Sequence, residues 1–238
     1  MSPYGAQLSA NLQVQLRYRT AAMAGVVTQV FWGYLRLSIL TAFYAALPTG
    51  TTPPMNATQL ACYVWLGQAL WALMPLRADA EVAALVREGG IAYELPRPVD
   101  LYSFWFSRAV ALRLGPTLLR LPVVLLVGAT LPRPEWCLRA PPSLSAFLLF
   151  LAAISLALLL AAAFTTLLGV TCLWTEGGNG VGQLLAIVGV ALSGIILPLP
   201  LYPDAVRAVL EQLPFAALSD LPLRTYSGHL AGADAVWA

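Results

Sequence analysis

Few residues of this chain are of types that do chemistry, and their spacing excludes most reactions. The single histidine, His229, has no second histidine and no nearby cysteine, so no metal-ligand spacing surrounds it. Cys62, Cys137 and Cys172 are odd in number and far apart. Cys62 and Cys172 fall inside apolar stretches and read as small core residues rather than a disulfide framework. Ser193, in Ala191-Leu192-Ser193-Gly194, lacks the preceding glycine of an intramembrane serine nucleophile, and His229 lies in a loop rather than on a neighbouring helix. The chain contains no lysine, so it holds no Walker A phosphate loop. Gly177-Gly178-Asn179-Gly180 therefore reads as a tight turn. These residues assign no catalytic group, no metal and no cofactor. What remains is Arg36, a lone charge inside a long apolar run. A charge at membrane depth is a functional candidate by default, here a possible pathway residue. Its partner would be another subunit, backbone carbonyls or an anionic ligand. Burial against polar groups of the bundle is an equally good account.

The elements that must position these residues follow from composition. The 238 residues are 59% hydrophobic and 10% charged, with a mean hydropathy of +0.76, where a soluble chain is about 45–50% apolar and 25% charged. Thirteen arginines and 11 acidic residues leave a net charge of +2, too small to suggest a nucleic-acid partner. Disorder is excluded as well, since disordered chains are rich in charge and poor in large apolar residues. The class is an all-α polytopic membrane bundle. Absent lysine beside abundant Ala, Leu, Arg and Pro fits a GC-rich bacterial genome. No secretory signal is evident, because the apolar run after Arg17 and Arg19 is too long for a cleavable segment.

A helix crosses a bilayer in about 20 apolar residues. Charges and prolines then mark five expected spans, at about 21–47, 56–76, 115–131, 143–174 and 181–201. At the start of the third, Arg113 and Arg120 would snorkel to the interface. The N-terminal stretch and the 77–120 region hold Arg17, Arg19, Arg77, Arg87, Arg97, Arg108, Arg113 and Arg120, whereas the other side holds Arg133, Arg139, Arg207 and Arg224. This asymmetry puts the N-terminus and the 77–114 loop in the cytoplasm. Residues 233–238 look like the opening of a sixth span, where the sequence stops short.

Three further segments are predicted. Residues 5–19, with Leu8, Leu12 and Leu16 at four-residue spacing, suit a helix lying in the interface. In ADAEVAALVREGG, Val82, Leu85 and Val86 form an apolar stripe, acids open the helix, Arg87 lies near its end and Gly89-Gly90 close it. Pro96 and Pro98 then block helix continuation, and Asp100 caps the next helix. After the fifth span, the Pro-punctuated apolar segment 202–231 is expected to dip back into the outer interface, covered by protein.

Certain strings sharpen the picture. FWGYLRLSILTAFY at 31–44, YVWLGQALWAL at 63–73, REGGIAYELPRPVDLY at 87–102 and LPFAALSDLPLRTYSG at 213–228 resemble the permeases of type-2 ABC exporters. The likeness is to a six-span branch with a Tyr-Glu-Leu-x-Arg-Pro motif, here Tyr93 to Pro98. The resemblance implies a subunit without chemistry of its own, in the plasma membrane of a bacterium. It would pair with a second permease, similar or identical, and with ABC ATPase subunits. It also places a coupling helix at about 79–88. Val82, Leu85 and Val86 would enter a groove on the ATPase, Arg87, Glu88, Glu94 and Arg97 would orient the contact, and Gly89 and Gly90 would form its turn. The rival reading is a non-ABC secondary transporter or a membrane scaffold. A secondary transporter would want acidic residues at the midplane, and no expected span holds one.

Overall fold

The structure is a computed structural model and describes residues 2–17, 19–75, 79–175 and 180–232. Among these, the regular elements are all helices. They are α1 (Pro3–Arg17), α2 (Arg19–Ala45), α3 (Ala57–Ala69), α4 (Ala80–Arg87), α5 (Leu101–Ala129), α6 (Leu144–Trp174), α7 (Gly180–Leu192), α8 (Asp204–Leu210), α9 (Pro214–Leu218) and α10 (Asp220–Tyr226). Short polar side chains start several of them. Asn56 accepts from the Gln59 N–H at 2.8 Å while the Gln59 amide oxygen accepts from the Asn56 N–H at 3.0 Å. Asp100 caps α5 through the Ser103 N–H at 2.7 Å, and Ser143 caps α6 through the Ala146 N–H at 3.1 Å. Each satisfies a donor that the first turn leaves without a partner.

Three described helices are long and apolar enough to cross a membrane: Met23–Ala45 within α2, Leu101–Ala129 and Leu144–Trp174. The regions 56–76 and 181–201 hold something shorter. α3 and α7 have 13 residues each, about 20 Å of helix at 1.5 Å per residue. α3 continues into a 3-10 turn at Trp71–Leu73, and α7 stops at Leu192 before a turn at Gly194, whose φ is +77°. α5 starts well before residue 115, because Arg108 and Arg113 find partners inside the protein and the charges do not drive the chain out. Residues 233–238, the expected opening of a sixth span, and the turn at 177–179 lie outside the described residues.

α3 is the hub. All ten residues from Leu60 to Ala69 are buried, as expected for a helix apolar on every face. Trp65, fully buried, lies between Gly33 of α2 and Gly128 of α5. A Cβ on Gly33 would stand 2.9 Å from the Trp65 ring, and one on Gly128 2.8 Å from it. Glycine at both places lets the two long helices close on the indole. The indole N–H donates to the Trp136 carbonyl at 3.0 Å, which draws the 131–143 loop onto α3. α10 covers another face of α3 and also packs on α6. Its Leu223 joins Tyr63, Leu66 and Phe150 in one apolar cluster.

Candidate functional site

At one end of the bundle, α1, α4 and the start of α5 meet. Asp79 caps α4 by accepting from the Glu81 N–H at 2.9 Å. The same carboxylate pairs with Arg108 of α5 through Nε, and again through Nη2 at 3.3 Å. The Arg108 guanidinium also reaches Glu81 at 2.6 Å and the Asn11 Oδ1 of α1 at 3.1 Å. Three elements separated by as many as 97 residues of chain are thus tied through one guanidinium, whose five donors suit such branching. A second tie follows in the loop. Glu94 accepts from the Trp105 indole at 3.2 Å and pairs with Arg97 at 3.4 Å. The Asp100 N–H donates to the Tyr4 hydroxyl at 3.2 Å.

This clamp decides which way α4 faces. Val82 is 3% exposed and turns into the bundle, where a Cβ on Gly169 of α6 would lie 3.2 Å from it and 3.7 Å from Trp105. Leu85 and Val86 are half-buried, with Leu85 folded over Gly90. Val82 therefore seats α4 on α6, contrary to the expectation that it enters a groove on another protein. The outward surface is Arg87, Glu88, Gly89 and Arg97 with two large apolar side chains, Tyr93 at 82% and Leu95 at 67% exposure. Neither of those two belonged to the expected stripe, because periodicity finds the apolar face of a helix but not which body that face meets. Gly89, at φ +73°, takes the left-handed turn that ends α4.

Arg36 lies near the middle of α2, on a groove-like cavity of about 560 Å³ between α2, the end of α3 and the chain after α7. Its Nη1 donates to the Ile195 carbonyl, so one of the three expected kinds of partner is present. Gln29, Gln68, Trp32, Trp71 and Ile196 share the lining. Gln29 and Gln68 are both buried. Sequence reasoning overlooked them, although two amides among apolar residues facing a lone arginine were a signal.

Arg113 was expected to snorkel and turns inward instead. Its Nε and Nη2 donate to the Thr165 hydroxyl at 3.2 and 2.8 Å, and Nη1 to the Met74 carbonyl at 2.8 Å. Arg120 also points inward, with its guanidinium beside Gly25 of α2. At the opposite end, Asp220 is 1% exposed. It meets the Tyr63 hydroxyl at 2.7 Å, accepts from the Leu199 N–H at 3.1 Å and pairs with Arg224 at 3.1 Å.

Three long apolar helices, with buried arginines held on carbonyls and hydroxyls, describe a helical membrane protein. The chain belongs to the ABC-2 transporter family: the family model described as "ABC-2 family transporter protein" matches residues 51–238. It is a membrane protein of that family, a transport subunit in kind, and membership implies an ABC ATPase partner in general terms. No curated protein and no solved structure matches the chain. α1, α2 and Arg36 precede the matched residues.

Proposed function

We propose that this chain is the membrane-spanning permease subunit of an ATP-driven exporter in a bacterial plasma membrane. Its N-terminus is cytoplasmic, and a second permease, similar or identical, completes the pathway. α4 and the loop behind it are the contact with a separate ATPase. Leu85, Val86, Arg87, Glu88, Gly89, Gly90, Glu94 and Arg97 belong to this contact as the sequence reading had it, and Tyr93 and Leu95 supply its exposed apolar part. The observation that carries the proposal is the Arg108 clamp. A helix fastened at once to the interfacial α1 and to the long α5 passes a push from outside directly into a spanning helix. Such coupling needs two discrete arrangements that nucleotide binding on the partner biases. Family membership favours this reading over a non-ABC secondary transporter or a membrane scaffold.

The test is co-purification of ABC ATPase subunits from the source cells with Leu95→Asp and Tyr93→Ser variants, at matched membrane expression. Burying an aliphatic side chain is worth about 1.5–3 kcal/mol before the costs of association, and a carboxylate at the same place must be desolvated. ATPase recovery is expected to fall by about tenfold or more. Undiminished recovery with undiminished ATP-driven transport would place the contact elsewhere.

A further inference from the structure

Two polar groups in the lining of the Arg36 cavity, Arg36 itself and Gln68, carry N–H donors that the cavity leaves short of acceptors. Gln68 is 2% exposed and lines the cavity, and its Nε2 has no hydrogen-bond partner among the described residues. A buried amide N–H without an acceptor is costly, and native proteins rarely leave one so. Arg36 has five N–H donors, and its bond to the Ile195 carbonyl is the hydrogen bond it makes among the described residues. No carboxylate lines the space among the described residues. The remainder is apolar and aromatic, and it opens outward along α2, where Trp32 is 51% and Ile39 60% exposed. A volume of about 560 Å³ lies within the range of small-molecule sites.

These features fit one kind of occupant. A neutral lipid chain would fill the apolar wall and leave the donors unpaired, and a cationic amphiphile would be repelled by Arg36. An inorganic anion would satisfy the donors and leave the apolar and aromatic wall unfilled. We propose that the cavity binds a single-chain anionic amphiphile, its acidic headgroup on Arg36 and Gln68 and its chain along Trp32, Trp71 and Ile39. The assignment rests on the permease reading, for which it names the class of cargo.

Dibromostearate is a suitable probe, because bromine quenches the tryptophans beside its chain and its methyl ester has the same chain without the charge. The full chain is placed in phosphatidylcholine nanodiscs and tryptophan emission is followed against each probe. Both compounds partition into the bilayer, so the informative quantity is the preference for acid over ester. The charge-assisted contact strengthens the acid's hold on the site, so saturable quenching should come at about tenfold lower acid than ester concentration, a preference of about 1.4 kcal/mol. Arg36→Gln should abolish the preference, Gln68→Leu should reduce it, and Arg36→Lys, which keeps the charge, should retain most of it. The lysine and leucine variants also separate ligand binding from any folding defect of Arg36→Gln. Equal quenching by acid and ester in the unaltered chain would overturn the assignment. So would a preference unchanged by Arg36→Gln, or a disulfide between two Ile39→Cys chains without any saturable phase, which would show a second copy covering the groove. Such failures with ATPase co-purification intact refute the cargo class alone. Loss of ATPase recovery from the unaltered chain refutes the permease reading itself.

Discussion

Arg108 grips both carboxylate oxygens of Asp79 across 29 residues of chain, and Asp79 is the residue that starts α4. One side chain thereby fixes both the beginning of α4 and its bearing on α5. The pair is well shielded, with side-chain exposures of 12% and 7%. Glu81, at 74%, is open to solvent and adds little.

Arg108→Gln should therefore destabilise strongly, because it strands a buried carboxylate. Breaking a buried pair from one side costs about 3–5 kcal/mol. A marked fall in Tm in detergent is expected, measured by intrinsic fluorescence on heating. Pairing it with Asp79→Asn should restore much of the loss, since no uncompensated charge then remains. If the double variant is no more stable than Arg108→Gln, the clamp is not what holds α4.

The proposed orientation is open to labelling. All three native cysteines are buried, and a variant lacking them provides the background. Tyr93 and Val209, 82% and 60% exposed, are suitable positions, whereas Leu218 at 4% is not. In cells that lack the ATPase, an impermeant maleimide should label Val209→Cys without permeabilisation and Tyr93→Cys only after it. The reverse pattern would invert the topology.

The indole of Trp65 fills the space left by two missing side chains. Gly128→Ala should lower Tm by the equivalent of about 1–3 kcal/mol, the usual cost of overpacking a tight core. Trp65→Leu, damaging alone, should become less so when combined with Gly128→Ala. Strictly additive losses would mean that the two positions do not share one space.

His229 gives the end of the bundle opposite α4 a pH dependence of defined sign. Burial, with Arg224 and Arg207 nearby, holds its imidazole below the ordinary histidine range, and Glu211 opposes them. The unfolded chain takes up the proton near about pH 6.5, while the folded chain resists it. Stability is therefore full above that pH and is lost as pH falls through the depressed folded value. The drop in Tm between neutral and mildly acidic buffer should shrink in His229→Gln. An identical drop in both proteins would assign the acid sensitivity to another group.

Composition alone pointed to a membrane protein, with 59% apolar residues and 10% charge, and uncharged apolar runs of about 20 residues or more made its spans helices rather than barrel strands. Caps were legible too, because Asp100 and the glycines after α4 act on their own first or last turns. The sequence also offered Arg36 and the α4 stripe as candidates, since a lone charge and an apolar period are local patterns. What the patterns lacked was direction. Tertiary packing turned Val82 inward onto Gly169 and left Tyr93 and Leu95 outward, and it drew Arg113 onto Thr165 rather than to the interface. It also set Gln68 beside Arg36, 32 positions away along the chain. Such juxtapositions depend on which helices close on which, and here that was settled by two glycines and the indole between them, a fit of shapes that no spacing along the chain encodes.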